Sequence, residues 1–105
     1  MLRIATILLA AASFTACTWV ELTPEGDKVR VLSLSEVKKC ERKGKTTAKV
    51  LSKMGGLERL PHEVEEDLRL VARNSAPSLG GDTIVPITPV KDGEQVFAVY
   101  RCVPQ

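Results

Sequence analysis

The side chains here with the capacity for chemistry are few: the cysteines Cys17, Cys40 and Cys102, a single histidine at His62, an acidic cluster at Glu63, Glu65, Glu66 and Asp67, and a basic stretch. Zinc sites are built from closely spaced pairs of Cys or His, and this chain has no C-x-x-C and one histidine, so neither a metal nor any other cofactor is expected. His62 lies between Pro61 and Glu63, with no recognised nucleophile motif around it. General-base work requires a nucleophile and an orienting acid to converge on the imidazole. An exposed position at the start of a helix is the expected role. The acidic cluster lacks the spaced ligands and turn glycine of a calcium loop, and complementing a helix dipole accounts for it better. Gly80-Gly81-Asp82 has the composition of a phosphate-cradling turn but follows a helical segment where that mechanism needs it to open one. No catalytic residue is assigned, and the chain is not expected to be an enzyme.

Cys17 belongs to a different chemistry. Arg3 supplies a positive charge, Ile4 to Ala12 form an apolar run, and Ser13-Phe14-Thr15-Ala16 lead into the cysteine, which is the layout of a secretory signal over residues 1–16. The run is shorter than the roughly 20 residues a membrane span needs. Phe14-Thr15-Ala16-Cys17 resembles the bacterial lipobox, with Phe14 where Leu is usual. That resemblance implies cleavage before Cys17, a diacylglyceryl group on its thiol, and acylation of the new amino terminus by a chain such as palmitate. Each buried methylene contributes about 0.8 kcal/mol, so two or three chains hold where one binds reversibly. The competing reading is a plain secretory signal with Cys17 as an ordinary cysteine. Thr18 follows where Asp would retain an enterobacterial lipoprotein at the inner membrane, so in a Gram-negative envelope the expected site is the outer membrane, facing the periplasm.

With Cys17 so assigned, Cys40 and Cys102 are an even remainder in an exported chain with a small core, and a disulfide between them is expected. A reactive or metal-binding thiol is the competing reading.

The 105 residues, 44% of them hydrophobic, accommodate one domain once the export segment is removed. Removing residues 1–16 leaves 14 basic against 13 acidic side chains, a balance that selects no partner by itself. Nucleic acid is not expected, because a basic face with interleaved aromatics is missing: the aromatics are Phe14, Trp19, Phe97 and Tyr100. Lys38, Lys39, Arg42, Lys43, Lys45, Lys49 and Lys53 form a stretch that can meet anionic headgroups or a polyanionic polymer, although such runs are more often a solvated face.

The elements that must position these groups follow from periodicity. Residues 17–27, with Pro24 and Gly26, read as a lipidated terminus and tether, and 28–105 as one folded domain. Trp19 suits either the headgroup level of a membrane or packing on the domain. Lys28 to Leu32 alternates as a short strand in which Val29 and Val31 share an apolar face, and Ser35 to Cys40 can hold a helical turn. Lys45 to Ser52 reads as a strand with Thr46, Ala48 and Val50 inward and Lys45, Thr47 and Lys49 outward. Lys53 to Leu60 reads as a flexible connection around Gly55-Gly56.

A helix is expected from Pro61, with Val64, Leu68, Val71, Ser75 and Leu79 as its inward stripe, bent or ended early by Pro77 and stopped by Gly80-Gly81. Thr83 to Ile87 and Gln95 to Cys102 are strands expected to pair antiparallel, with Asp92-Gly93 as the hairpin signal and the doubly apolar Val96 to Tyr100 central. The expected fold class is α+β: a small, four-stranded, mostly antiparallel sheet with one main helix on one face, in the order β-β-α-β-β.

Across this frame, Cys17-Thr18-Trp19-Val20, Leu22-Thr23-Pro24, Val29-Arg30-Val31, Cys40-Glu41, Ala72-Arg73-Asn74, Gly81-Asp82-Thr83-Ile84-Val85-Pro86 and Phe97-Ala98-Val99-Tyr100-Arg101-Cys102 stand in an order that resembles the bacterial lipoproteins grouped as domain-of-unknown-function family 4156. The resemblance implies a lipid-modified Cys17 and a paired Cys40 and Cys102, and implies no activity. More distantly, the helix followed by Gly-x-Asp, a strand and a late cysteine resembles the small domain of the outer-membrane sensor lipoprotein of the Rcs envelope-stress pathway, which has two disulfides and a long tether.

The expectation for function is a non-enzymatic binding or regulatory component of the cell envelope, held at the membrane by its lipid and meeting an envelope protein or an anionic surface polymer. The alternative is an enzyme or small-ligand protein with a pocket between the helix and the Gly55-Gly56 loop.

Overall fold

The computed structural model describes residues 20–54 and 56–103. The expected export segment, residues 1–16, and Cys17, Thr18 and Trp19 lie outside the described residues. In chain order the elements are α1 (Pro24–Asp27), β1 (Arg30–Val31), β2 (Glu41–Lys49), β3 (Lys53–Met54), β4 (Leu57–Glu58), α2 (Pro61–Ser75), β5 (Thr83–Pro86) and β6 (Glu94–Arg101), with single 3-10 turns at Leu34–Val37 and Ala76–Leu79.

Local chemistry explains most boundaries. The Thr23 hydroxyl accepts the Gly26 N–H at 2.9 Å and Pro24 presets φ at the first helical position, which closes α1. Pro61 opens α2 in the same way. Pro77 ends its α-helical part at Ser75, the chain tightens into the 3-10 turn, and Gly80 terminates it in the left-handed conformation at φ 84°. Asp92 and Gly93, both at positive φ, make the two-residue turn between Lys91 and Glu94 that leads into β6.

The four-stranded sheet has the order β1-β5-β6-β2 and a second, two-stranded ladder joins β3 to β4. The class is the α+β one expected, with one main helix. β6 is central between β5 and β2, antiparallel to both, as its apolar run requires. The sheet is mixed, however, because β1 runs parallel to β5: Arg30 donates its N–H to the Asp82 carbonyl and Leu32 donates to that of Ile84. Val29 is buried but Val31 is exposed, so the single apolar face expected of that strand is only half realised on a short edge strand. β5 lies inside the sheet, and Pro86 sits at its end, where a missing N–H does no harm.

Two further expectations are corrected. β2 starts at Glu41, four residues before the alternation begins, because Arg42 and Glu41 pair with Tyr100 and Arg101 beyond a bulge between Arg42 and Gly44. The connection Lys53 to Leu60 is not structureless; it folds back as β3 and β4, with Lys53 opposite Glu58 and Met54 opposite Leu57.

The helix face of the sheet carries the main core, where Phe97, Val99, Ile84 and Ala48 meet Val64, Leu68, Ala72 and Ala76. The stripe on α2 is therefore a strict four-residue row. Val64 and Leu68 are as expected, Val71 is partly buried at the margin, and the alanines replace Ser75 and Leu79. Small side chains let the last turns of α2 approach the sheet, and Ser75 instead donates to the Val71 carbonyl at 3.0 Å. Complete burial of Leu68 and Phe97 contributes about 1.5–3 kcal/mol each. The opposite face has a smaller core of Val37, Val85 and Ala98 with Leu32 and Tyr100, covered by the Leu34–Val37 turn.

Candidate functional site

The histidine and the basic stretch singled out for chemistry are placed without a site around them, and the acidic cluster holds no metal geometry. His62 is exposed on the first turn of α2, beside the exposed Glu63, Glu65 and Glu66. Among the described residues no group of three His, Cys, Asp or Glu is arranged to hold a metal ion. The basic stretch is spread along the edge strand β2: Lys43 reaches Glu41 at 3.4 Å, Lys49 reaches Glu94 at 3.6 Å, and Arg42 lies over the Tyr100 ring at 5.9 Å. Lys45, Thr47 and Lys49 face solvent, as their alternation implies.

The structured features gather at the two ends of the domain. At one end Asn74, in the last turn of α2, accepts the Thr23 N–H at 2.9 Å through Oδ1 and donates from Nδ2 to the Glu21 carbonyl at 2.7 Å. Arg73 donates to the carbonyls of Gly26 at 3.2 Å and Asp27 at 2.9 Å. Residues 21–27, read from composition as tether, are thereby docked on α2. The reason is that α1 leaves carbonyls exposed at its end, which Arg73 satisfies. The span from Cys17 to docked Glu21 is four residues, at most about 14 Å when fully extended.

Cys40 and Cys102 meet at this same end in the expected disulfide, with Cα atoms 4.4 Å apart and a sequence separation of 62. It ties the turn before β2 to the residue after β6. Asp82 secures the neighbouring backbone: its carboxylate accepts the N–H groups of Cys102 at 2.8 Å and Val103 at 2.9 Å and the Thr83 hydroxyl at 2.9 Å. Partial burial by itself raises the Asp82 pKa, but these three bonds, with Arg30 nearby, outweigh it and hold the carboxyl below its ordinary value. Gly80-Gly81-Asp82 is thus a structural clamp; a Cβ on Gly81 would overlap Val99 and the Tyr100 carbonyl.

The opposite end holds a cleft of about 340 Å³ between the β3–β4 hairpin, the first turn of α2 and the Asp92-Gly93 turn. Its floor is Pro61, Val64 and Val90. The Arg59 guanidinium braces the hairpin, bonding Asp67 of α2 at 2.8 Å and the Leu51 carbonyl at 3.0 Å. That ion pair is nearly buried, with side chains 7% and 13% exposed. Within the acidic cluster, Asp67 thus does structural work beyond dipole complementarity, while Glu66 makes only an exposed pair with Arg69 at 3.6 Å. Leu51, Leu57 and Leu60 of the same hairpin and its stem are 59%, 74% and 56% exposed. An open cleft occurs between α2 and the β3–β4 hairpin, the region to which the alternative small-ligand reading assigns a pocket.

Sequence reasoning missed the pairings of Asn74 with Thr23 and Glu21, 51 and 53 residues away, and of Arg59 with Asp67, 8 residues away. One signal was present: Asn is a poor helix former, and one in a last helical turn invites the question of what its amide holds.

The family model described as Domain of unknown function (DUF4156) matches residues 20–102. No curated protein and no solved structure matches the chain. The match begins one residue before the docked N-terminal segment and ends on the second disulfide cysteine.

Proposed function

The chain belongs to the family defined by the domain of unknown function DUF4156, and from that premise we propose that it is a lipoprotein of the bacterial envelope, anchored through Cys17, that acts by binding and not by catalysis. The secretory layout of residues 1–16 and the lipobox-like Phe14-Thr15-Ala16-Cys17 support the anchor. In a Gram-negative envelope the Thr18 that follows favours the outer membrane over inner-membrane retention. The observation that carries the binding reading is the pair of bonds from Asn74 to Glu21 and Thr23. They hold residues 21–23 at one end of the domain, opposite the cleft and the exposed leucines, so an anchor at Cys17 would leave that other end open to a partner.

Intact mass of the full chain, expressed in a Gram-negative host and extracted in detergent, tests the reading beside a Cys17→Ala control. Loss of residues 1–16 with added acyl mass is the expected result, absent from the control. A soluble, unacylated product carrying Cys17 overturns the anchor. A small-ligand or enzymatic role draws on the same cleft, but its floor is shallow over a filled core of Leu68, Phe97 and Ile84. Recovery of a bound metabolite from the purified chain would favour that second reading.

A further inference from the structure

We propose that the cleft between the β3–β4 hairpin and the first turn of α2 is a docking site for an extended peptide segment of a partner protein, one that carries aliphatic side chains interleaved with Lys or Arg. This rests on the binding reading above and names the chemistry of the partner. The cleft floor of Pro61, Val64 and Val90 is apolar, and its volume of about 340 Å³ is at the small end of the range for ligand sites, about 300–1,000 Å³. That suits one or two side chains better than an enclosed metabolite.

The rim sets the charge of the occupant. Glu58, Glu65 and Asp92 line the cleft with Lys53, and the Arg59–Asp67 pair neutralises itself, which leaves two negative charges in excess. None of the three rim carboxylates takes part in an ion pair among the described residues. Leu51, Leu57 and Leu60, on the hairpin and its stem next to the cleft, belong to neither core cluster and stay exposed. Exposed apolar groups beside unpaired carboxylates are complementary to a cationic aliphatic strand. The bracing of the hairpin by Arg59 keeps the cleft preformed, so little ordering is required on binding. The other end of α2, roughly 20 Å away over its fifteen residues, carries the Asn74 contact with the N-terminal segment, so an anchor there leaves the cleft accessible.

The test uses the full-length chain, isotopically labelled and purified in a neutral detergent, titrated with a ten-residue peptide of alternating Leu and Lys and with its Leu and Glu counterpart. Saturable shifts confined to the amides of Glu58, Val64, Glu65 and Gly93, with the lysine peptide only, are expected. Reversal of both rim charges, Glu58→Lys with Glu65→Lys, should weaken binding about tenfold or more, whereas Lys45→Glu on β2 should not. Both rim residues are exposed, and an unchanged thermal transition verifies the fold of the variant. Shifts that map elsewhere, equal binding of both peptides, or indifference to the reversal would overturn the proposal, as would self-association through the cleft that the reversal abolishes. The intact mass of the same preparation reports on Cys17, so a chain without lipid that binds the peptide would sink the anchor and leave the cleft standing.

Discussion

The Thr23 hydroxyl is shared between two tasks: it accepts the Gly26 N–H at 2.9 Å to cap α1 and donates to Asn74 Oδ1 at 3.2 Å to dock α1 on α2. Capping and docking are therefore one arrangement. Asn74→Ala removes three hydrogen bonds at once and is expected to cost about 1–3 kcal/mol, read as a lowered urea midpoint. Amide exchange at Thr23, Gly26 and Asp27 should accelerate well beyond the loss of global stability, because the N-terminal segment opens first. Asn74→Asp keeps the acceptor but loses the donor to Glu21, and should fall between the two.

Gly26 lies where a Cβ would overlap Asn74 Oδ1. Gly26→Ala is expected to destabilise in spite of alanine's higher helix propensity, by about 1–2 kcal/mol. An equal or higher melting temperature in this variant would mean that α1 is not held against α2 as described.

The disulfide closes a loop of 62 residues. The chain-entropy estimate for a loop of that length is about 4 kcal/mol, dependent on the model. Cys40→Ala with Cys102→Ala, compared with the oxidised parent by denaturant unfolding, should lose a large fraction of total stability. The same loss should follow reduction of the parent.

Asp82 makes a pH-dependent contribution whose direction follows from its partners. Its folded pKa lies below the ordinary carboxyl value because the Cys102 and Val103 N–H groups and the Thr83 hydroxyl donate to it, against the opposing effect of burial. The bonds therefore stabilise the fold above an unfolded pKa of about 3.9 and lose that effect as the pH falls through the lower folded value. Asp82→Asn should reduce stability at pH 7 and flatten its decline below about pH 4. Parallel unfolding curves for the two proteins across that range would remove Asp82 from the account.

Breaking the near-buried pair between Arg59 and Asp67 leaves a charge in a poorly hydrated place. Asp67→Asn is expected to cost about 2–3 kcal/mol, at the lower edge of values for buried pairs because the site is not fully closed. The hairpin should loosen from α2, visible as faster exchange at the Arg59 amide, which bonds the Ser52 carbonyl.

Much of the frame was legible locally. Pro61, Pro77 and Gly80 mark the limits of α2 through backbone restrictions that act within a few residues, and Asp92-Gly93 marks its turn for the same reason. The outward lysines of β2 and the central position of β6 follow from side-chain alternation. The candidate site was legible only in outline: the alternative small-ligand reading assigns a pocket to this region, but neither its acidic rim nor its Arg59 brace could be read from the sequence. Those depend on residues far apart in sequence converging on one cleft.

The sequence by its own short-range chemistry and counts determined the pairing of Cys40 with Cys102, the main helix α2 and the antiparallel pair of β5 with β6. The tertiary structure alone decided that β1 runs parallel to β5, that Ala72 and Ala76 rather than Ser75 and Leu79 face the sheet, and that residues 21–27 belong to the domain. A two-residue strand encodes no direction, and an alanine is informative only once the surface it must approach is known. The polar contacts of Asn74 and Arg73 acquire meaning when the chain returns to them some 50 residues away. Such choices are made by the free energy of the assembled core and its buried hydrogen bonds, which no window of neighbouring residues contains.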